Sequence, residues 1–364
     1  MKYKLSDICE YAKEKIKISA LDENTYISTE NMLPNKSGIT QAASIPTQEQ
    51  TQAFVKNDVL VSNIRPYFKK IWYATFDGGC SNDVLVFRAK GGINSQFLHY
   101  ALADDSFFNY AMSTSRGTKM PRGDKKAIME YEVPKFSYED QNKVVNILKS
   151  LDDKIELNNK INKNLEEQVS ILYQSWFEDF EITNGVCPKT WCYQELSMIA
   201  DIASGKRPPL KSDTCNEKTP ISIVGATSVM GFTSEANHTD KILVTGRVGT
   251  HGVIQRFNIP CWTSDNTLVI TSPYYEFTNQ ILHKIDYSSM NRGSTQPLIT
   301  QGDLKKVVVL VPDEDTLAKF EEFAGSLMAK WEANNKENVK LASLRDFLLP
   351  KLMSEKIDVS NLNI

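Results

Sequence analysis

Two stretches of the chain carry apolar residues at steps that alternate between four and three. The first runs Val144, Leu148, Leu151, Ile155, Asn158, Asn162, Leu165, Val169, Leu172 and Trp176. The second lies 176 residues further on: Phe320, Ala324, Leu327, Trp331, Asn334, Asn338, Leu341, Arg345, Leu348 and Leu352. A strict 3.5-residue period predicts a long helix that pairs with another along its seam. Arg345 is the one charged departure. Both seams carry two asparagines at the same central places, Asn158 and Asn162 against Asn334 and Asn338. Four matched polar seam positions predict a register device that trades stability for unique pairing. An antiparallel pair sets Asn158 opposite Asn338, Asn162 opposite Asn334, and Val144 opposite Leu352. A parallel pair also aligns Asn158 with Asn334, so the asparagines alone leave the direction open.

The seams belong to a larger repeat. Arg116-Gly117-Thr118-Lys119-Met120-Pro121 matches Arg292-Gly293-Ser294-Thr295-Gln296-Pro297 at the same offset of 176. Upstream, Ser81–Phe87 lies against Ser264–Ile270 at 183, and Asp58–Arg65 lies against Asp240–Arg247 at 182. The chain therefore reads as two copies of one unit, each a globular region followed by a helix. In the first copy DVLVSNI, IWYATF and NDVLVF predict strands; in the second KILVTGR, GVIQRF and NTLVIT do. Ser95–Asp104 and Glu276–Ile285 predict helices. Short strands between turn residues predict an α+β fold whose sheet is mainly antiparallel.

Composition narrows the function classes. The 364 residues are 41% hydrophobic and 24% charged, ordinary values for a globular protein. The net charge of −3 gives no global basic field, which leaves a local basic patch open. The longest aliphatic run, Val307–Val311, is far short of a membrane span, and the N-terminus has no apolar core of a signal peptide, so the expected location is cytoplasmic. The six cysteines form no CxxC pair and have no His pair nearby, which predicts reduced thiols and no metal site.

The usual catalytic signatures are missing. The chain has no GxxxxGK[ST] phosphate loop, no GxGxxG after a strand, no HExxH and no GxSxG. His99 falls in an apolar helical pattern and reads as structural. Ser272-Pro273-Tyr274-Tyr275 reads as a turn. Nothing assembles a nucleophile, a base and an electrostatic stabiliser. The remaining polar segments fit binding. Arg65-Pro66-Tyr67-Phe68-Lys69-Lys70 joins two strands and mixes cations with aromatics. Lys119, Arg122, Lys125 and Lys126 cluster around the repeat motif. The second copy offers Lys206, Arg207, Arg247, His251, Arg256, Arg292 and Gln296. Arg and Lys supply phosphate contacts and bidentate guanine readout, and Gln can read adenine. Each such residue alone reads as a solvated surface charge; the clusters together read as a binding surface.

At these residues the chain resembles the specificity (S) subunits of type I restriction–modification systems. The resemblance is carried by RGSTQPLITQGDLKKVVVLVP (Arg292–Pro312), the long helix after it, the terminal LRDFLLPKLMS (Leu344–Ser354), and ASGKRPP (Ala203–Pro209). It implies a first target-recognition domain at 1–136, a central conserved helix at 137–180, a second target-recognition domain at 190–312 and a C-terminal conserved helix at 313–356. It further implies that the two helices pack as an antiparallel coiled coil, that each domain reads one part of a split sequence in double-stranded DNA, and that the chain is not an enzyme. Two methyltransferase subunits and the endonuclease subunits are the implied partners. S-adenosylmethionine then belongs to the methyltransferase, and this chain itself needs no cofactor. Leu157, Ile161 and Ile171 lie off the first seam, and Leu344 and Phe347 off the second. They are the expected docking residues for a partner. The competing reading is a bivalent, non-enzymatic scaffold that binds protein ligands through its two globular domains.

Overall fold

The computed structural model describes residues 2–290, 292 and 298–360. The chain forms two compact units, Met1–Asn158 with Lys336–Ile364, and Asn159–Asn335. It is a mixed helix-and-sheet protein. Two 40-residue helices, Tyr138–Phe177 and Glu314–Met353, each contribute residues to both units.

The first unit holds a four-stranded antiparallel sheet in the order Cys9–Tyr11, Val84–Ala89, Val59–Ser62, Ile71–Tyr73. Its inner strands are apolar on both faces because both faces are covered. Val59, Val61, Leu85 and Phe87 point into a core with Phe97, Phe107 and Phe108 from the helices. Leu60, Val84 and Val86 point into a second core with Ile27, Phe54 and Cys80. That second core is closed by a sheet ordered Lys15–Lys17, Gln50–Phe54, Gly78–Cys80, Tyr26–Ile27. Its last pair is parallel, within a sheet that is otherwise antiparallel. Burying each such side chain is worth roughly 1.5–3 kcal/mol.

The second unit repeats the plan. Its four-stranded sheet runs Asp201–Ser204, Thr267–Thr271, Ile242–Gly246, Gln255–Phe257. A smaller sheet runs Val229–Thr233, Ile221–Val224, Cys261–Thr263, again with a parallel last pair. The helix after each main sheet starts by a different device. Asn94 caps Ser95–Ala103 by accepting the N–H groups of Gln96 and Phe97. Tyr275–Lys284 has no cap of its own, and Glu321 of the second long helix accepts the N–H groups of Glu276 and Phe277 at 3.1 and 2.8 Å. A carboxylate there meets the positive end of the helix dipole.

The register corrects one step of the repeat. Val59 pairs with Phe87, and Leu243 pairs with Ile270. Phe87 and Ile270 are equivalent at the offset of 183, so Val59 corresponds to Leu243, an offset of 184 rather than 182. A slip of two residues keeps every side chain on its face, so alternation in the sequence cannot detect it. Hydrogen bonds decide it: Asn63 N–H donates to Asp83 O and Arg247 N–H donates to Asn266 O, both at 2.8 Å. Arg247 is thus the counterpart of Asn63, and Arg65 corresponds to Gly249.

None of the seam positions on the long helices is exposed. Within the first unit Asn158 Nδ2 donates to Asn338 Oδ1 at 2.9 Å and to Glu337 Oε2 at 2.8 Å. Val144 and Leu352 share one core. Within the second unit Asn334 Nδ2 donates to Asn162 Oδ1 at 2.8 Å, and Asn162 Nδ2 donates to Asn335 Oδ1 at 3.0 Å. The rings of Trp176 and Phe320 lie 6.0 Å apart.

All six cysteines are free thiols, with Cys9, Cys80 and Cys261 buried. Among the described residues no group of three or more metal-ligating side chains could hold an ion, and no helix is long and apolar enough to cross a membrane.

Candidate nucleic-acid interface

In each unit the cationic candidates gather at one end of the four-stranded sheet, where three turns meet. In the first unit these are Asn63–Lys70, Ser81–Val84 and Arg116–Gly123. Asn63 N–H bonds Asp83 O, Arg65 N–H bonds Pro121 O at 2.8 Å, and Gly123 N–H bonds Asn63 O at 3.2 Å. Arg122 reaches Asp83 at 3.1 Å and is itself well exposed. Lys119 is exposed, and so are Lys125 and Lys126, which open the short helix Lys125–Ile128 that Asp124 caps.

The Arg65–Lys70 segment has an unusual backbone. Arg65 and Lys69 both adopt left-handed conformations with φ of 50°, on either side of a 3-10 turn, Pro66–Phe68. Tyr67 and Phe68 are exposed and pack together with centroids 4.7 Å apart. Two of the lysine and arginine candidates are tied into the structure. Lys69 pairs with Asp105 at 2.7 Å, and Lys36 pairs with the same carboxylate at 2.8 Å. Burial alone would raise the Asp105 pKa, but the two ammonium groups hold it below the usual carboxylate range. Lys70 donates to Thr29 O at 2.6 Å, and burial lowers its pKa. The Arg65 side chain makes no hydrogen bond or ion pair among the described residues, and its Nε is buried without a partner.

In the second unit the turn Ser264–Thr267 is the organiser. Gly205 N–H bonds Thr267 O, Lys206 N–H bonds Thr263 O, and Arg247 N–H bonds Asn266 O. A Cβ on Gly205 would lie 2.1 Å from Ser264 O, so only glycine lets the strand end approach this closely. Trp262 Nε1 donates to Lys206 O at 2.8 Å, leaving the Lys206 and Arg207 side chains exposed. Arg247 accepts at its carbonyl from Ile299 N–H at 3.0 Å, and its Nε is buried without a partner. His251 Nδ1 bonds Gly246 O at 3.1 Å while its Nε2 is buried without a partner. Arg292 pairs with Asp303, and its N–H bonds Leu298 O at 3.1 Å. Gln296 lies outside the described residues.

Arg256 does not belong to this set. It makes a bidentate pair with buried Glu276 at 2.8 and 2.6 Å. Its guanidinium lies 5.0 Å from the Tyr275 ring and 5.7 Å from the Trp331 ring. The strand pattern that made it look like a surface cation hid the fact that its face of the sheet is covered by helix. His99 is likewise internal, stacked against Tyr73 and Tyr100, and burial pushes its imidazole down to about 4.

The sequence reading missed the loop around Asn35 and Lys36. It pairs with the Arg65–Lys70 segment through Asn35 N–H to Phe68 O at 2.8 Å and Lys36 N–H to Lys69 O at 2.9 Å. Its composition, Pro34-Asn35-Lys36-Ser37-Gly38, is a turn signal, but nothing local says which turn it will meet.

On the long helices, Leu157 and Ile171 are exposed and Ile161 half-buried; Leu344 and Phe347 are exposed. Phe323 and Val339, both exposed, were not picked out from the sequence.

The comparisons agree on one family. The family described as type I restriction modification DNA specificity domain matches residues 1–167. The chain is 26% identical over 311 residues to the type I restriction enzyme MjaIX specificity subunit of Methanocaldococcus jannaschii, covering 75% of this chain and 71% of that one. It is 22% identical over 462 residues to the HindI specificity subunit of Haemophilus influenzae, covering 98% and 99%. Its fold is similar to that of a crystal structure of a type I restriction–modification S subunit from M. genitalium. The TM-score is 0.61 at 19% identity, covering 97% of this chain and 96% of that one. With a duplicated α+β unit, a long helix after each copy and these matches, the chain is similar along its length to type I restriction–modification specificity subunits, and its residues 1–167 match the DNA specificity domain of that family.

Proposed function

We propose that this chain reads a split sequence in double-stranded DNA, one part through each globular unit, and carries methyltransferase subunits on its long helices, where endonuclease subunits join the assembly. The observation that carries the reading is the duplicated interface. Each unit closes its own cores and brings three turns to the same end of an equivalent sheet, with cations on them. On this reading residues 1–136 and 190–312 are the two target-recognition domains, and 137–180 and 313–356 are helices packed as an antiparallel coiled-coil spacer. The Asn158–Asn338 and Asn162–Asn334 bonds support that direction, because one number falls as the other rises.

Arg65, Tyr67, Lys119, Arg122, Lys206, Arg207, Arg247, His251, Arg292 and Gln296 are the proposed DNA-facing residues. Lys69 and Lys70 serve there chiefly by holding the Arg65 turn in shape. Two methyltransferase subunits dock on the off-seam residues Leu157, Ile161, Ile171, Leu344 and Phe347, whose exposed apolar area a partner would cover. S-adenosylmethionine is bound by that partner. The chain works in the cytoplasm, where the DNA is.

The test is an exchange. Residues Trp191 to Pro312 are replaced by the corresponding region of a relative with a different target, and the methylated sequence is read in cells that supply the methyltransferase. One part of the recognised sequence changes and the other stays. A change in both parts, or in neither, refutes the modular assignment.

A further inference from the structure

Backbone strain in the first unit is concentrated at one place. Among the described residues eight non-glycine residues have positive φ, and four of them, Asn35, Lys36, Arg65 and Lys69, belong to the Arg65–Lys70 segment and the loop paired with it. Strain of this kind persists only where surrounding structure enforces it. Here the enforcement is visible: two backbone hydrogen bonds join the loops, and Asp105 binds both Lys36 and Lys69.

The strained segment borders a cavity of about 230 Å³ lined by Glu30, Ile64, Arg65, Phe68, Lys70 and Met120. Lys70 is taken up by Thr29 O. The Arg65 guanidinium and the Glu30 carboxylate are different. Neither makes a side-chain hydrogen bond or ion pair among the described residues, although they line the same small space; Glu30 does act at longer range on the Lys70 ammonium, raising its pKa against the effect of burial. The Arg65 Nε is buried without a partner, which leaves the planar guanidinium to meet a ligand through its two terminal nitrogens.

We propose that Arg65 and Glu30 together read one G·C pair in the part of the target that the first unit recognises. The inference rests on the DNA-reading function proposed above and says which pair of side chains carries specificity there. In the major groove guanine presents two acceptors, O6 and N7, which a guanidinium fork matches; cytosine presents its N4 amine, which a carboxylate accepts. The pairing of opposite charges argues for a base pair over a phosphate, because Glu30 repels a phosphate brought to Arg65. The enforced backbone means that little freedom is lost on binding.

The test uses the full chain assembled with its methyltransferase subunits and a library of random DNA duplexes. Arg65→Gly suits the left-handed conformation and removes the side chain without adding strain. Arg65→Lys keeps the charge and removes the fork, and Glu30→Ala removes the acceptor. Wild type selects a two-part consensus. All three variants lose preference at one and the same G·C pair of the first part, and Arg65→Gly binds the wild-type consensus roughly tenfold to a hundredfold more weakly. Replacing that guanine by 7-deazaguanine weakens wild type and leaves Arg65→Gly unaffected.

Three results overturn the proposal while leaving the DNA-reading function standing. Arg65→Gly selects the unchanged consensus; or it weakens every duplex alike with a salt slope lower by about one, the mark of a lost phosphate contact; or Glu30→Ala and Arg65→Gly relax different pairs. If assembled wild type selects no consensus, the DNA-reading function itself fails, and this inference with it.

Discussion

Arg345 Nη1 donates to Asp152 Oδ1 at 2.8 Å, inside a helix seam that is otherwise apolar or amide. The other oxygen of Asp152 accepts from Tyr100 Oη at 2.7 Å. The one charged residue in either heptad pattern is thus half of an ion pair, and that pair fastens the Ser95–Ala103 helix to the long helices of the first unit. Burial lowers and the Asp152 and Asp346 carboxylates raise the Arg345 pKa, with a net rise. It stays charged at any pH where the fold survives.

Replacing Arg345 with Leu leaves Asp152 facing an apolar seam. The expected cost is about 1–3 kcal/mol, chiefly from the stranded carboxylate. Asp152→Asn, which keeps a hydrogen-bonding group, costs less. A double-mutant cycle by chemical denaturation measures the coupling; additive losses would mean the pair contributes nothing beyond its parts.

The asparagine layers are expected to trade stability for register. Changing Asn162 and Asn334 together to Leu removes a buried amide pair, and Asn334 is 1% exposed. The double variant melts at a higher temperature than wild type but loses unique pairing, seen as broadened or doubled amide resonances along both helices. The single variant Asn162→Leu is destabilised, because Asn334 loses its acceptor. A double variant that is both more stable and spectroscopically uniform would show that the layers do not specify register.

Ile171 is 66% exposed and Phe347 57% exposed, each on the outer side of a long helix. Aspartate at either position costs the isolated chain little, because neither side chain is in a core. The double variant Ile171→Asp, Phe347→Asp is expected to keep the wild-type melting temperature within about 0.5 kcal/mol of stability and to lose co-purification with the methyltransferase. Retained co-purification would place the contact elsewhere.

His99 gives a pH dependence of definite sign. Burial pushes its imidazole down to about 4, against 6.5 for the free group, and its Nδ1 has no partner. Between those values the unfolded chain takes up a proton that the folded chain does not, so stability falls as pH falls from about 6.5 towards 4. The expected loss is at most about 3 kcal/mol over that window. His99→Gln flattens the profile there in urea-unfolding measurements, and an unchanged profile would assign the acid lability to other groups.

Much of this protein is written in short-range pattern. The 3.5-residue period specifies two long helices, because burial of one stripe requires it, whatever the stripe meets. The duplicated turn motif and the strand sequences specify two copies of one α+β unit. Other features depend on which distant surface arrives. Arg256 and Arg65 are both cations near strand ends, yet one is clamped by Glu276 and two aromatic rings, and the side chain of the other has no partner among the described residues. Lys69 was indistinguishable in sequence from a free cation until Asp105 was brought beside it. The two-residue slip that makes Arg247 the counterpart of Asn63 is invisible to alternation and is settled by the hydrogen bond each makes to a turn some twenty residues away. Periodicity is a property of neighbours along the chain, so the sequence contains it outright. The partner of a charge, and the register of a strand, are set by contacts between segments far apart in sequence, and only the folded chain supplies them.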